Sequence, residues 1–296
     1  MNQLPELPER DLPPGRHRLL KERLMTEIRR EDQAARTRAR WLLPALGAGA
    51  VATVAAIAFT VPFGSSSAPV VASKEAVAVL EGAARGAESG VPYGRVRDDQ
   101  FVYIKSRVAY MHQVNGGPEK LDPVHTREIW NSVNGSTSGL LEEDIDNNQH
   151  VVLEGWQDFT YRDLAELPTD PDEMYDWLCE TSAKKVDGEH PDGDEEAFVL
   201  FGDLVQESLM PPDVSAALYR AATRIPGVEV VRGVKDAVGR EGVAITRQAG
   251  RVQVQMIFDG KTSVFLGERE LDDDGTVRGI SAILDRAIVD KAGQRP

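Results

Sequence analysis

With a single cysteine, Cys179, in 296 residues, the chain has no internal disulfide and no zinc or iron–sulfur framework built on several thiolates. Basic residues are also in deficit. Thirty-four Lys and Arg stand against 48 Asp and Glu, a net charge of −14, which argues against a nucleic-acid-coating protein. The five histidines (His17, His112, His125, His150, His190) are scattered, and no two lie three or four residues apart as His-Glu-x-x-His requires. No glycine-rich phosphate loop is present. What remains is an ordinary folded composition, 41% hydrophobic and 28% charged, with 26 Gly and 17 Pro.

The most telling absence is local. From Trp41 to Ser73 no side chain is charged. Within that stretch Trp41 to Phe63 is almost purely apolar, and as a helix it spans roughly 34 Å, enough for a bilayer core. Pro44 falls in the first turn, and Pro62 with Gly64 closes the other end. Arg36, Arg38 and Arg40 precede the span and no basic residue follows until Lys74, so the positive-inside rule keeps the N-terminus in the cytoplasm. A cleaved signal ending at Val70-Val71-Ala72 fits less well, because both the leader and the apolar run are too long. The expected organisation is a cytoplasmic arm at 1–40, a single transmembrane helix at 41–63, a linker at 64–72 and an extracytoplasmic domain at 73–296. Charge divides accordingly: ten basic and seven acidic residues before the span, 24 and 41 after it.

The arm opens with a Pro-rich stretch and turns helical after Gly15. Leu19, Leu20, Leu24, Met25 and Ile28 form an apolar stripe with no core of its own, so they are the candidate partner-binding residues. A tether whose arginines simply hold it to anionic lipid is the competing reading. Small residues recur every fourth position in the span (Ala45, Gly49, Thr53), which suits close helix approach.

The exterior part reads as α+β. A helix is predicted over Lys74 to Glu88 with Ser73 as N-cap, and a strand over Asp99 to Val114. Two further strands, 126–133 and 137–141, flank the turn Asn134-Gly135. Asp170-Pro171 starts a second helix through Trp177 and Leu178, Asp187 to Glu196 reads as an acidic loop, and Phe198 to Leu209 and Val214 to Ile225 supply two more helices. Strands return at 228–231, 242–248, 251–258, 262–271 and 277–284. Val252, Val254, Met256 and Phe258 alternate with Gln253, Gln255 and Ile257, giving that strand one dry face. Short turns force antiparallel neighbours, so the expectation is a curved antiparallel sheet with helices on its dry side. Such a domain is similar in outline to lipoprotein-carrier and sigma-regulator sensor domains, a resemblance that implies a half-barrel.

Candidate chemistry is thin. Asp144, Asp146 and Asn148 open like a calcium loop, but Gln149 and Gly155 occupy positions that need Gly and Glu. His190 with Asp192, Asp194, Glu195 and Glu196 is explained as well by a solvated acidic loop as by weak cation binding. Gly135-Ser136-Thr137-Ser138-Gly139 follows a hairpin turn rather than forming a nucleophile elbow, and Cys179 on a helix has no adjacent base. No catalytic, cofactor or metal residue is assigned.

Leu12-Pro13-Pro14-Gly15-Arg16 to Met25 before a single span, the Asp170-Pro171 helix start, and the run from Ala217-Leu218-Tyr219-Arg220-Ala221 through Ile225-Pro226-Gly227-Val228 to Phe258-Asp259 and Leu266-Gly267-Glu268 carry a resemblance. The chain resembles an uncharacterised actinobacterial single-pass membrane protein family often encoded beside extracytoplasmic-function sigma factors. That resemblance implies a sensor outside and an arm that meets a sigma factor inside. The arm departs from the zinc-binding anti-sigma pattern, since it has His17 and no cysteine. The leading expectation is a non-enzymatic membrane-anchored regulator. The alternatives are an envelope carrier or chaperone holding an acyl chain or exported polypeptide, and an envelope hydrolase.

Overall fold

Ser73 ends an extended segment and its hydroxyl accepts from the Ala76 amide, which starts helix α1 (Lys74–Glu88) as its sequence predicts. In the computed structural model the described residues are 71–90, 93–112, 119–144, 149–153, 158–185, 193–247 and 252–296. The proposed span at 41–63 and the arm positions Leu19, Leu20, Leu24, Met25 and Ile28 lie outside them. Among the described residues no helix is long and apolar enough to cross a membrane.

The architecture is α+β, with one large antiparallel sheet and a few helices. Strands β1 (Phe101–His112), β2 (Lys120–Leu121), β3 (His125–Ser132), β4 (Gly139–Glu143) and β5 (Gln149–Leu153) come first. Helices α2 (Tyr161–Ala165), α3 (Pro171–Lys185), α4 (Gly193–Glu207) and α5 (Pro212–Ala222) follow, and β6 (Val228–Lys235), β7 (Glu241–Arg247), β8 (Val252–Phe258), β9 (Phe265–Asp272) and β10 (Val277–Val289) complete the chain. The sheet order is β5-β4-β3-β1-β10-β9-β8-β7-β6, with β2 paired to β1. Two sequential meanders, one before and one after the helices, are therefore joined where β1 pairs antiparallel with β10.

The dry face of β8 lies under the helices. Val254, Met256 and Phe258 share a core with Phe265, Ile245 and Val228 from the sheet and with Leu80, Phe198, Phe201, Leu218 and Tyr219 from the helices. Phe201, Tyr219, Phe258 and Phe265 follow one another edge to face, with centroids 6.1, 6.1 and 5.5 Å apart. A second core under β1, β3, β4 and β5 gathers Val102, Ile104, Ile129, Leu141, Leu153 and Tyr161.

Several predicted boundaries move. The acidic loop ends earlier than Glu196, because α4 begins at Gly193 and Asp194, Glu195 and Glu196 form its first turn, where carboxylates oppose the positive helix end. The strand predicted from Thr262 starts at Phe265, since the Asp259 carboxylate accepts from the Lys261 and Thr262 amides and the Thr262 hydroxyl and holds 259–264 as a turn. The last strand runs on to Val289, beyond Leu284. Lys105 pairs with Asp285 and Ser106 with Ile283, so Leu284 is an extra residue in a bulge and points outward, 44% exposed. Helix α2 and strand β5 have too few residues to show a periodicity in the sequence. The first is fixed by a capping box between Thr160 and Asp163.

Candidate functional site

The two apolar cores do not merge. Between them, on the helix-covered side of the sheet, runs a seam of buried polar and charged groups, and parity along the strands places them. In β1, Ser106, Val108 and Tyr110 share the face of Val102 and Ile104. Across the β1–β3 pairing Ser106 meets Arg127 and Val108 meets His125. Arg127 in turn pairs in register with Glu143 of β4. From β10, Ser281 and Arg286 reach the same side, opposite Val108 and Ile104.

Arg127 is the centre of the seam, with its side chain 4% exposed. Its Nη1 donates to both oxygens of Glu207 at 3.2 and 3.1 Å, and its Nε lies 3.4 Å from Glu143 Oε1. Burial works against the charge on Arg127, but the carboxylates of Glu207 and Glu143 outweigh it, so its pKa is raised and the guanidinium stays charged. Glu207 ends α4. The same helix end is held by Arg286, whose Nη2 donates to the Val205 and Gln206 carbonyls, the second at 3.2 Å. A cation at a helix C-terminus satisfies carbonyls that lack intrahelical partners, and α4 has no basic residue of its own in its last turn. The Gln206 side chain adds a third tie: Ser281 Oγ donates to its Oε1 at 3.0 Å while accepting from the Glu268 amide at 2.9 Å.

Tyr110 completes the seam. Its hydroxyl is buried and has no hydrogen-bond partner among the described residues. Burial pushes its pKa far above the ordinary phenol value, the nearby charge of Arg127 opposes this, and Glu207, Glu270 and Glu268 add to it. It is therefore a neutral donor at any physiological pH. The chemistry present is ion pairing and hydrogen bonding that fixes one helix end to two strands, β3 and β10. Among the described residues no group of three His, Cys, Asp or Glu is placed to hold a metal ion.

Apart from His125, which shares the seam face of β3 with Arg127, the residues singled out in the sequence are not placed in this seam. Leu19, Leu20, Leu24, Met25 and Ile28 lie outside the described residues, as do His17, His190 and Asp146. His112 Nδ1 is 2.7 Å from Asp122, His125 Nδ1 is 3.0 Å from the Pro123 carbonyl, and His150 Nδ1 is 3.4 Å from Glu142. Gly135 to Gly139 is a turn in which Asn134 Oδ1 accepts from the Ser136 amide and hydroxyl. Cys179 is a free, half-buried thiol, and burial pushes its pKa up, away from nucleophilic character. The seam itself left one trace in the sequence. Arg127 and Ile129 have the same strand parity, as do Arg286 and Ile288, so each arginine stands in a core-facing position.

No family model and no curated protein matches the chain. Among solved structures it is similar to a MucA/MucB complex of Pseudomonas aeruginosa, over 72% of this chain and 57% of that one, at 14% identity and a TM-score of 0.27. It is similar to MucB in complex with MucA(peri) over 73% and 56%, at 15% identity and 0.27. For MucB alone the shares are 76% and 61%, at 14% identity and 0.29. The chain thus spans less than two thirds of each of those chains. At these identities and scores the likeness assigns neither a ligand nor a partner to this chain.

Proposed function

We propose that the chain is a non-enzymatic, membrane-anchored regulator. Residues 41–63 cross the membrane once, the sheet domain senses outside, and the arm engages a cytoplasmic protein, an extracytoplasmic-function sigma factor in the leading reading, through Leu19, Leu20, Leu24, Met25 and Ile28. The uncharged run with arginines on one flank supports the anchor and its orientation.

The observation that carries the regulatory reading is the link from Arg127 to Glu207. An apolar pair of similar volume would stabilise the same contact at lower desolvation cost, so we read an ion pair there, with the Arg127 side chain 4% and the Glu207 side chain 24% exposed, as favouring a discrete arrangement of α4 on the sheet over simple stability. Such an arrangement can be held or released as a unit, which is what a sensor needs. The carrier reading has less support, because Phe198, Phe201, Tyr219, Phe258 and Phe265 fill the dry face of the β6 to β9 half, and an acyl chain there would have to displace the helix layer.

Site-specific cross-linking in cells from positions 20 and 24 tests the proposal. It should trap a cytoplasmic protein, and Arg127→Gln in the exterior domain should change the yield of that adduct. An adduct of unchanged yield, in a variant shown by protease resistance to be folded, would remove the link between the seam and the arm. Absence of any adduct would remove the regulatory reading itself.

A further inference from the structure

The opposite face of the sheet holds a second built site. Phe101, Tyr103, Trp130, Leu140 and Val289 form a patch on the side turned away from the helices, yet Trp130 is 0% exposed. Residues 293–295 cover it. Trp130 Nε1 donates to the Gln294 carbonyl at 2.5 Å, and the Arg295 guanidinium lies 5.7 Å from the centre of the Trp130 ring. Arg295 Nε donates to Glu128 Oε1 and Oε2 at 2.9 and 3.1 Å, and its Nη2 reaches Glu128 Oε2 at 2.7 Å and Glu142 Oε2 at 2.9 Å. Tyr103 donates its hydroxyl to the same Glu128, and Lys105 Nζ stands 3.9 Å away.

The two sides of this contact are unequal. The host groups sit on β1, β3 and β4 and are packed in place: Tyr103 is 1% exposed and the Glu128 side chain 9%. The guest side chain, Arg295, is 54% exposed and enters from solvent. An aromatic face, a forked carboxylate and a second carboxylate match a planar guanidinium; a lysine ammonium would keep the charge and lose the fork. The host also offers two carboxylates to one cation, within a domain that carries 41 acidic and 24 basic residues. That imbalance favours cationic partners.

We infer that this patch is a recognition site for an arginine that follows a tight turn in a partner protein, and that residues 293–295, which leave the Lys291–Gln294 turn through Gly293 at φ 83°, occupy it as an intramolecular competitor. The segment supplies the two features such a partner must present: a backbone carbonyl for Trp130 Nε1 and, one residue later, the guanidinium. This site stands on different residues from the Arg127 seam, so its failure leaves the regulatory reading untouched.

The test uses the full-length chain and its Arg295→Ala variant, titrated with the peptide Ala-Gly-Gln-Arg-Pro by calorimetry. The variant should bind at least about tenfold more tightly than the unsubstituted chain, in which a tethered segment competes at high effective concentration. Replacing the peptide arginine by citrulline, or Glu128 by Gln in the variant, should abolish binding. No binding by the folded variant, or equal binding of the citrulline peptide, overturns the inference. Should Arg295→Ala unfold the chain, hydrogen exchange on the unsubstituted chain decides. Excess arginine peptide must then speed amide exchange at Gln294 and Arg295 relative to the citrulline peptide, and unchanged exchange overturns it.

Discussion

Arg127 on β3 and Glu207 at the end of α4 lie eighty residues apart in sequence and meet through both carboxylate oxygens, with the arginine side chain 4% exposed. The pair ties the last turn of α4 to β3, the strand beside β1, and neither residue belongs to an apolar core.

Removing one partner should therefore cost more than replacing both. Glu207→Ala leaves the guanidinium with Glu143 alone, and we expect a loss of about 2–4 kcal/mol, near the lower end for breaking a buried pair. Arg127→Met combined with Glu207→Leu should fall within about 1 kcal/mol of the parent. Urea unfolding of the parent, Arg127→Met, Glu207→Leu and the double variant gives the coupling energy. Additive losses would mean that the pair does not act as a unit.

Acid should release residues 293–295. Hydrogen bonds from Arg295 hold the Glu128 carboxyl below its ordinary pKa; burial opposes them, and Tyr103 and the charges of Arg295 and Lys105 reinforce them. A carboxylate depressed in the folded state contributes stability that is complete above its unfolded pKa, about 4.3, and disappears as pH falls through the lower folded value. Trp130 emission should thus be constant from neutral pH down to about 4 and change below it. Glu128→Gln should remove that acid transition, as judged against the other tryptophans by Trp130→Phe.

Gly82 sets the approach of α1 to the β8–β9 turn. A Cβ there would fall on the Ser263 hydroxyl and 2.8 Å from Ser263 Cβ. Ser263 has little room to give way, because it sits at φ 56° in the turn organised by Asp259. Alanine gains about 1 kcal/mol in helix propensity and loses about 1–3 to overpacking, so Gly82→Ala should be neutral to destabilising by about 2 kcal/mol. A rise in thermal midpoint would show that the helix and turn are not in close contact.

Topology and the arm are tested together in cells. External protease should degrade the sheet domain and spare an N-terminal tag. Leu20→Asp with Leu24→Asp should abolish the adduct formed from a cross-linker placed at position 28 while leaving membrane fractionation unchanged. Protection of the sheet domain would reverse the proposed orientation, and an unaffected adduct would remove the apolar stripe from the interface.

Much of this protein follows from local rules. Ser73 before Lys74, Asp170 before Pro171 and the alternation from Val252 to Phe258 specify a cap, a helix start and a two-faced strand, because each depends on residues within a few positions of one another. The same rules give the α+β class and the antiparallel meanders. They cannot show that β10 lies beside β1, that Arg127 meets Glu207, or that Arg295 closes over Trp130. Those contacts join positions 80 to nearly 190 residues apart, and their selection depends on which buried groups find partners once the sheet is assembled. Chain patterning therefore determined the elements and the dry, helix-covered side of β8, but not the burial of its other side, where Gln255 is 2% and Ile257 0% exposed. Only the tertiary structure decided which groups the arginines on core-facing positions would meet, carboxylates for Arg127 and helix-end carbonyls for Arg286, since the cost of burying a charge is set by the completed surroundings and not by its neighbours in sequence.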